Sequence, residues 1–342
     1  MAATNGEASS REPEVTLAEI RALAAEFPGP DLASATKVLE RDRLLAKPRG
    51  GLGQLEDLTE WLAKWQARHP PRMERPSVAV FAGNHGVAAN AASSRDFEAT
   101  AKRVAAYGAG GGAINAIVGA LDADFRVFEL ALEAPTADFT ETDAMTDGDC
   151  AKAMAYGMMA VEQGVDAIVL GQVGVGGDVS AAALIAALKG GDGADLIADG
   201  ETAAAKRAAV AEGLARHRTA ATDALDTLRR LGGYEIAAMA GAIVAARMGR
   251  VPVLLDGLVP AAAAIVVGAQ AHGGADHCAL GAGAAGAVGE ALAKAFGRPP
   301  ILDVGVTMGE AAGAALAVHL LRAAALCHSD LDTRADRQKR SG

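Results

Sequence analysis

Cysteine, aromatic residues and excess positive charge are all scarce in this chain of 342 residues. Cys150, Cys278 and Cys327 stand far apart with no CxxC spacing, which argues against a disulfide framework and a cysteine-based zinc site. Aromatics supply 4% of the chain against a hydrophobic fraction of 51%, so the core has to be built from Ala, Val, Leu and Ile. The 41 glycines permit close backbone approach, which suits helices packed tightly on a parallel sheet. A net charge of -10 argues against nonspecific nucleic-acid binding, which relies on clustered Lys and Arg to neutralise phosphates. Any phosphate ligand is therefore expected to be small and locally held. No charge-free apolar run reaches the ~20 residues of a membrane span, and the N-terminus lacks a basic-then-apolar signal pattern. Together these absences predict a cytoplasmic protein that binds neither membrane nor nucleic acid.

What is present is an alternation of two textures. From Leu17 to Ala67 apolar positions recur at helical spacing, broken by Pro28, Pro30 and the KPRGGLG turn. At Ser77 the pattern changes to short continuous apolar runs, SVAVFAG, FRVFEL, DAIVLGQ, VPVLLDG and PILDVG, as buried parallel strands read. Ala-rich helical segments lie between them. The pattern predicts an α/β fold, a Rossmann-like parallel sheet with helices on both faces, preceded by a small helical subdomain. The expected divisions are a structureless N-terminus over 1–16, a helical subdomain over 17–70, the large domain over 71–309, a returning helix over 310–330 and a structureless polar tail over 331–342.

Three stretches carry chemistry. Within Pro300 to Leu321, PILDVGVTMGEAAGAALAVHLL, an apolar strand runs into a Gly-flanked turn that delivers Glu310 at the mouth of an Ala-rich helix. A lone carboxylate there can act as a base, although Glu at a helix start is also favoured by the helix dipole alone. After the first strand, FAGNHGV sets Asn84 and His85 where a crevice opens at strand C-termini, with Ser93 just beyond; all three are candidate ligand donors. After DAIVLG, the turn GQVGVGGDVS offers free backbone N–H groups at a helix N-terminus, as a phosphate requires. Gln172, Gly174, Gly176, Gly177, Asp178 and Ser180 belong to this turn, and Lys206 in the next helix can bring positive charge. Asp178 inside such a nest opposes phosphate, or serves as a plain helix cap. A rival motif, GAGAAG at Gly281–Gly286 with Asp303 about 20 residues on, matches a dinucleotide fingerprint. In a glycine-rich chain that match arises readily by chance, and the preceding ADHCAL makes a poor buried strand.

Taken together, the chain resembles the nicotinate-nucleotide:dimethylbenzimidazole phosphoribosyltransferase family, which makes the lower-ligand nucleotide of cobalamin. The resemblance lies in KPRGGLGQLE at Lys47–Glu56, FAGNHGV at Phe81–Val87, the pattern Ser93, Glu98, Thr100, and GGAIN at Gly111–Asn115. It continues through LGGYEIAAMAGA at Leu231–Ala242, PVLLDG at Pro252–Gly257 and LDVGVTMGEAAGAAL at Leu302–Leu316. The resemblance implies Glu310 as general base, Asn84, His85, Ser93 and Met308 around the azole, and the GQVGVGGDVS turn with Lys206 around the nucleotide phosphate. It also implies a Rossmann-like large domain plus a small helical domain formed from the chain ends, a homodimer, small-molecule substrates (nicotinate mononucleotide and a benzimidazole) and no metal or organic cofactor.

The departures from the family fall in the phosphate region. Where the family reads GEMGIGNTT this chain has GQVGVGGDV, so a glutamate becomes Gln172 and Asn-Thr-Thr becomes Gly177, Asp178, Val179. Arg95 and Asp96 replace an aromatic-Pro step, and an Ala/Gly-rich stretch replaces a polar one around Ala284–Gly289. Each hydrogen bond lost to a charged phosphate costs about 1.5–3 kcal/mol. Two readings stay open on sequence alone: a transferase with a remodelled phosphate pocket, or a weak or silent relative that binds an azole or nucleotide as sensor, carrier or partner subunit.

Overall fold

The computed structural model describes residues 15–90 and 97–341. Helices α1 (Leu17–Ala24), α2 (Leu32–Leu44) and α3 (Gln54–Gln66) precede strand β1 (Pro76–Ala82). Then follow α4 (Val87–Asn90), α5 (Glu98–Gly108), α6 (Ala113–Leu121), β2 (Asp124–Glu129), α7 (Asp147–Met158) and β3 (Ala167–Val173). Next come α8 (Gly177–Lys189), α9 (Ala203–His217), α10 (Ala224–Leu231), α11 (Tyr234–Gly249), β4 (Val253–Asp256) and α12 (Leu258–Gln270). The chain ends with β5 (Cys278–Ala282), α13 (Gly286–Phe296), α14 (Ala312–Asp330) and α15 (Arg334–Ser341).

The strands form one parallel sheet in the order β2-β1-β3-β4-β5, so the direction of winding reverses at β1 and β3. Alternate side chains of a strand point to opposite faces. Val78 and Val80 of β1 therefore pack with α3, α6 and α14 residues such as Leu62, Ile114 and Val318. Ala79 and Phe81 pack on the other side with Met154, Leu184, Ile243 and Val266 from α7, α8, α11 and α12. Small residues let the inner helices touch backbone to backbone: a Cβ on Gly157 of α7 would lie 1.7 Å from the Ala238 carbonyl oxygen, and one on Gly241 of α11 would lie 1.9 Å from that of Met154. With few aromatics to fill space, density is reached by this close approach.

The predicted α/β architecture is present, with differences at its margins. PILDVG is not a strand: Ile301 and Leu302 donate to the carbonyls of Leu280 and Gly281, and the pairing ends before an exposed Asp303 and Val304 and a left-handed Gly305. The fifth strand is instead Cys278–Ala282, inside the region read as a poor strand; the burial of Cys278, Leu280 and Ala282 outweighs its weak local propensity. The last dozen residues are not structureless. Thr333 caps α15, its amide and hydroxyl donating to the Asp336 carboxylate, and Arg334 donates to the Arg43 carbonyl, so a segment polar at every position but Ala335 is held as a helix. Helix α1 does not join α2 and α3; Leu17 and Ile20 enter the same core as α7, and Arg21 pairs with Asp223 at 2.6 Å. The end of α14 packs against α2 and α3, with Arg41 donating to the carbonyls of His328 and Ser329 and Thr59 to that of Ala324. Two stretches, Glu98–Leu121 and Ala312–Asp330, are long and apolar enough to cross a bilayer. The first is interrupted between α5 and α6, and the second is a core helix with Val318 and Leu321 fully buried.

Candidate active site

Glu310 stands at the start of α14 in an unusual backbone. Gly309, Glu310 and Ala311 all have φ between 63° and 69°, a left-handed run that costs roughly 1–2 kcal/mol per non-glycine residue. Two features of neighbouring strands hold it. Gly171 of β3 gives room, since a Cβ there would lie 2.1 Å from the Ala311 nitrogen. Asp256, the last residue of β4, caps α14 by accepting from the Ala314 amide at 2.8 Å. Strain concentrated on one carboxylate and offset by a well-packed frame is the pattern of a functional turn.

The Glu310 side chain is almost fully buried, and its Oε1 accepts from Arg103 Nε on α5 at 2.7 Å. Tyr107, one helical turn further, brings its hydroxyl close to the same carboxylate but makes no hydrogen bond of ordinary geometry. Burial and the adjacent Glu310 carboxylate push the Tyr107 phenol well above its usual range, so it stays protonated. The Arg103 guanidinium is raised by its bond to Glu310. Burial pushes the Asp256 carboxyl up to about 6, with the Glu310 charge adding to the push against the amides of Ala314, Ala311 and Gly313.

Beside this turn a cavity of about 350 Å³ opens beyond the C-terminal ends of β3, β4 and β5. Val259, Pro260, Val288 and Val306 give it apolar walls, Thr307 and Gly309 lead to Glu310, and Gln172, Asp178 and Asp256 are its polar members. Two buried atoms of these residues, Gln172 Nε2 and Asp256 Oδ2, have no hydrogen-bond partner among the described residues. One is a donor and the other a carboxyl oxygen, a pair suited to a ligand with hydroxyl groups. The size falls in the range of small-molecule sites.

The glycine turn closes the α8 side of this cavity. Gly176 adopts φ 88° and α8 begins at Gly177; the Val179 and Ser180 amides donate to the Gly176 carbonyl, so only the Gly177 and Asp178 amides precede the helix's own bonding. Asp178 is held by Lys206 Nζ of α9 at 2.6 Å, so its charge is compensated locally. The negative charge that sequence reading set against phosphate is thus half of an ion pair.

Other expected ligand donors are committed to the protein. Asn84 Nδ2 donates to the Leu132 carbonyl, and Asn84 Oδ1 accepts from Thr100 Oγ1 and the Val175 amide. His85 is fully buried, with Nε2 2.6 Å from Glu235 Oε1 and Nδ1 2.9 Å from Ser180 Oγ. Where sequence reading expected ligand contacts, Asn84, His85 and Ser180 have protein partners, and these contacts tie the loop after β1 to the glycine turn and to the start of α11. The reversal point between β1 and β3 is therefore filled by side chains, and the cavity lies on the β4 and β5 side. Gly174 belongs to this packed zone, with φ 159° against the Gly83 carbonyl. Met308 is half exposed in the turn before Glu310. Ser93, Arg95 and Asp96 lie outside the described residues. Sequence reading gave no role to Asp256, Arg103, Tyr107 or Glu235; the PVLLDG strand end was the one available signal, for Asp256. No cluster of three metal-ligating side chains occurs among the described residues. The rival GAGAAG motif does follow a strand and precede a helix, and Gly283, Ala284 and Ala285 line the same cavity.

A family model described as phosphoribosyltransferase matches residues 27–338. The chain is 45% identical over 320 residues to proteins named nicotinate-nucleotide–dimethylbenzimidazole phosphoribosyltransferase from Brucella anthropi and Brucella melitensis, covering 92% of this chain and 94% of each relative. It is also similar to the crystal structure of nicotinate-nucleotide-dimethylbenzimidazole phosphoribosyltransferase from Thermus thermophilus, with a TM-score of 0.84 and 30% identity, covering 90% of this chain and 98% of that one.

Proposed function

The chain belongs to this phosphoribosyltransferase family, and from that premise we propose that it moves 5-phosphoribose from nicotinate mononucleotide to 5,6-dimethylbenzimidazole in cobalamin synthesis. The azole nitrogen attacks C1′ of the ribose as the bond to the pyridinium nitrogen breaks, and its electron pair returns to the nicotinate ring. The azole proton passes to Glu310, leaving α-ribazole phosphate and nicotinate. The pyridinium is already a good leaving group, so one base and accurate alignment suffice. Alignment alone can lower such a barrier by up to about 7–11 kcal/mol.

The observation that carries this reading is the strained turn holding Glu310 beside an apolar cavity with two polar atoms that find no partner among the described residues. The apolar walls suit a flat azole, Asp256 and Gln172 suit the ribose hydroxyls, and the start of α8 suits the phosphate. There the phosphate competes with Asp178 for Lys206, which replaces the hydroxyl donors absent from the turn. Asn84, His85 and Ser180 act as supports of the turn, while Ser93 and Met308 complete the azole side. No metal or organic cofactor takes part, and the protein works as a cytoplasmic homodimer divided at about 70 and 310 into small and large domains.

The test is incubation of purified protein with both substrates, following α-ribazole phosphate by chromatography with mass detection. The wild type is expected to form product. Glu310→Gln is expected to bind the azole by calorimetry with turnover lowered by about 10²–10⁴-fold. A near-normal rate in that variant would remove Glu310 as the base, and azole binding without product from the wild type would favour the silent-relative reading.

A further inference from the structure

We propose that Arg103 is the positioning residue for Glu310, fixing one carboxylate oxygen so that the other meets the azole proton; this rests on the phosphoribosyl-transfer reading above. The Arg103 Nε–Glu310 Oε1 distance is 2.7 Å, and no hydrogen bond from the described residues reaches Oε2. Glu310 lies on an irregular segment between a loop and a helix, with an exposed Met308 just before it, so its side chain lacks the rotamer restraint of a regular element. Arg103 is instead set on the regular helix α5, with Tyr107 four residues on lying against the same carboxylate. A guanidinium presents donors in a fixed planar fork, so it sets direction as well as charge. The role requires no substrate contact: Arg103 acts through the orientation of Glu310.

The Arg103 side chain is 46% exposed, so its replacement affects chiefly the Glu310 carboxylate and the neighbouring Tyr107 hydroxyl. Arg126 is a matched control, with a 43% exposed side chain paired to Glu162 away from the cavity. Arg103→Leu is expected to lower kcat by about 10–100-fold, the loss typical of a misplaced reacting group. The KM for nicotinate mononucleotide should stay within roughly threefold of the wild-type value, as fits a residue that makes no uniform substrate contact. Arg103→Lys is expected to recover part of the loss, because it restores a charge without the fork. Arg126→Leu should match the wild type. Wild-type kcat in Arg103→Leu, with Glu310→Gln inactive, would overturn this inference and leave the phosphoribosyl-transfer reading intact. A rise in the nucleotide KM with unchanged kcat would also overturn it, by making Arg103 a substrate contact. Absence of product from the wild type would overturn both.

Discussion

Ionised Asp256 is costly where it stands, because one of its oxygens is buried without a partner among the described residues and Glu310 adds a second negative charge nearby. Its carboxyl is raised from an ordinary 3.8 to about 6, so the folded state holds this proton more tightly than the unfolded chain. That contribution to stability is fully present below about pH 4 and is lost as pH rises through about 6. Asp256→Asn removes the charge and keeps the oxygen that caps α14. At pH 8 the variant is expected to be more stable than the wild type by roughly 1–3 kcal/mol, with lower activity, the usual exchange at a strained site. Thermal melts at pH 4, 6 and 8 check this; parallel curves for the two proteins would contradict it. Glu310 itself was legible in sequence from its Gly-flanked, Ala-rich surroundings. Its partners were not, because Arg103 lies 207 positions away and Asp256 lies 58 positions from the Ala314 amide it caps.

The segment that carries Glu310 is shaped by a strand it does not belong to. Gly171 sits in β3 opposite Val80 of β1, where a larger side chain would fit local propensity better. It is required because the backbone of Glu310 and Ala311 passes over that position. Gly171→Ala is expected to destabilise the protein by about 1–3 kcal/mol through overpacking and to lower kcat by about 10²-fold by moving the carboxylate. Chemical denaturation and steady-state kinetics on one preparation measure both, and an unchanged kcat would mean that the turn tolerates the shift. Among the strands, β1, β3 and β4 were readable as continuous apolar runs because both their faces are buried. PILDVG has the same texture and is not a strand, since its pairing with β5 ends after two residues. Cys278–Ala282 has a weaker texture and is one, because β4 gives it a buried partner to align with.

The two ends of the chain meet where α14 reaches α2 and α3, and a histidine pair lies in that joint. His328 is buried with Nε2 3.1 Å from His69 Nε2, an arrangement that needs one ring to donate and the other to accept. Burial, His69 and Arg41 push His328 down to about 4, and burial with Lys37 and Arg41 also lowers His69. A depressed imidazole contributes stability that is present above its ordinary 6.5 and lost as pH falls through about 4. The wild type is therefore expected to lose roughly 1–3 kcal/mol more than His328→Gln between pH 7 and pH 4. This runs opposite to the Asp256 contribution, so denaturation across pH is best compared in both variants; equal losses in wild type and His328→Gln would show that the histidine pair carries none of the pH dependence. By itself the sequence determined the layered α/β class, most of its helices, the glycine turn and the Gly-flanked setting of Glu310, because hydrophobic periodicity, helix starts and the Gly-Glu turn are written within a few residues. Only the tertiary structure decided which side chains face the cavity. Asn84, His85 and Ser180 turned inward because buried polar groups must find partners, and those partners come from separate loops. Asp178 gained Lys206 and Glu310 gained Arg103, because helices distant in sequence brought the opposite charges within hydrogen-bond reach.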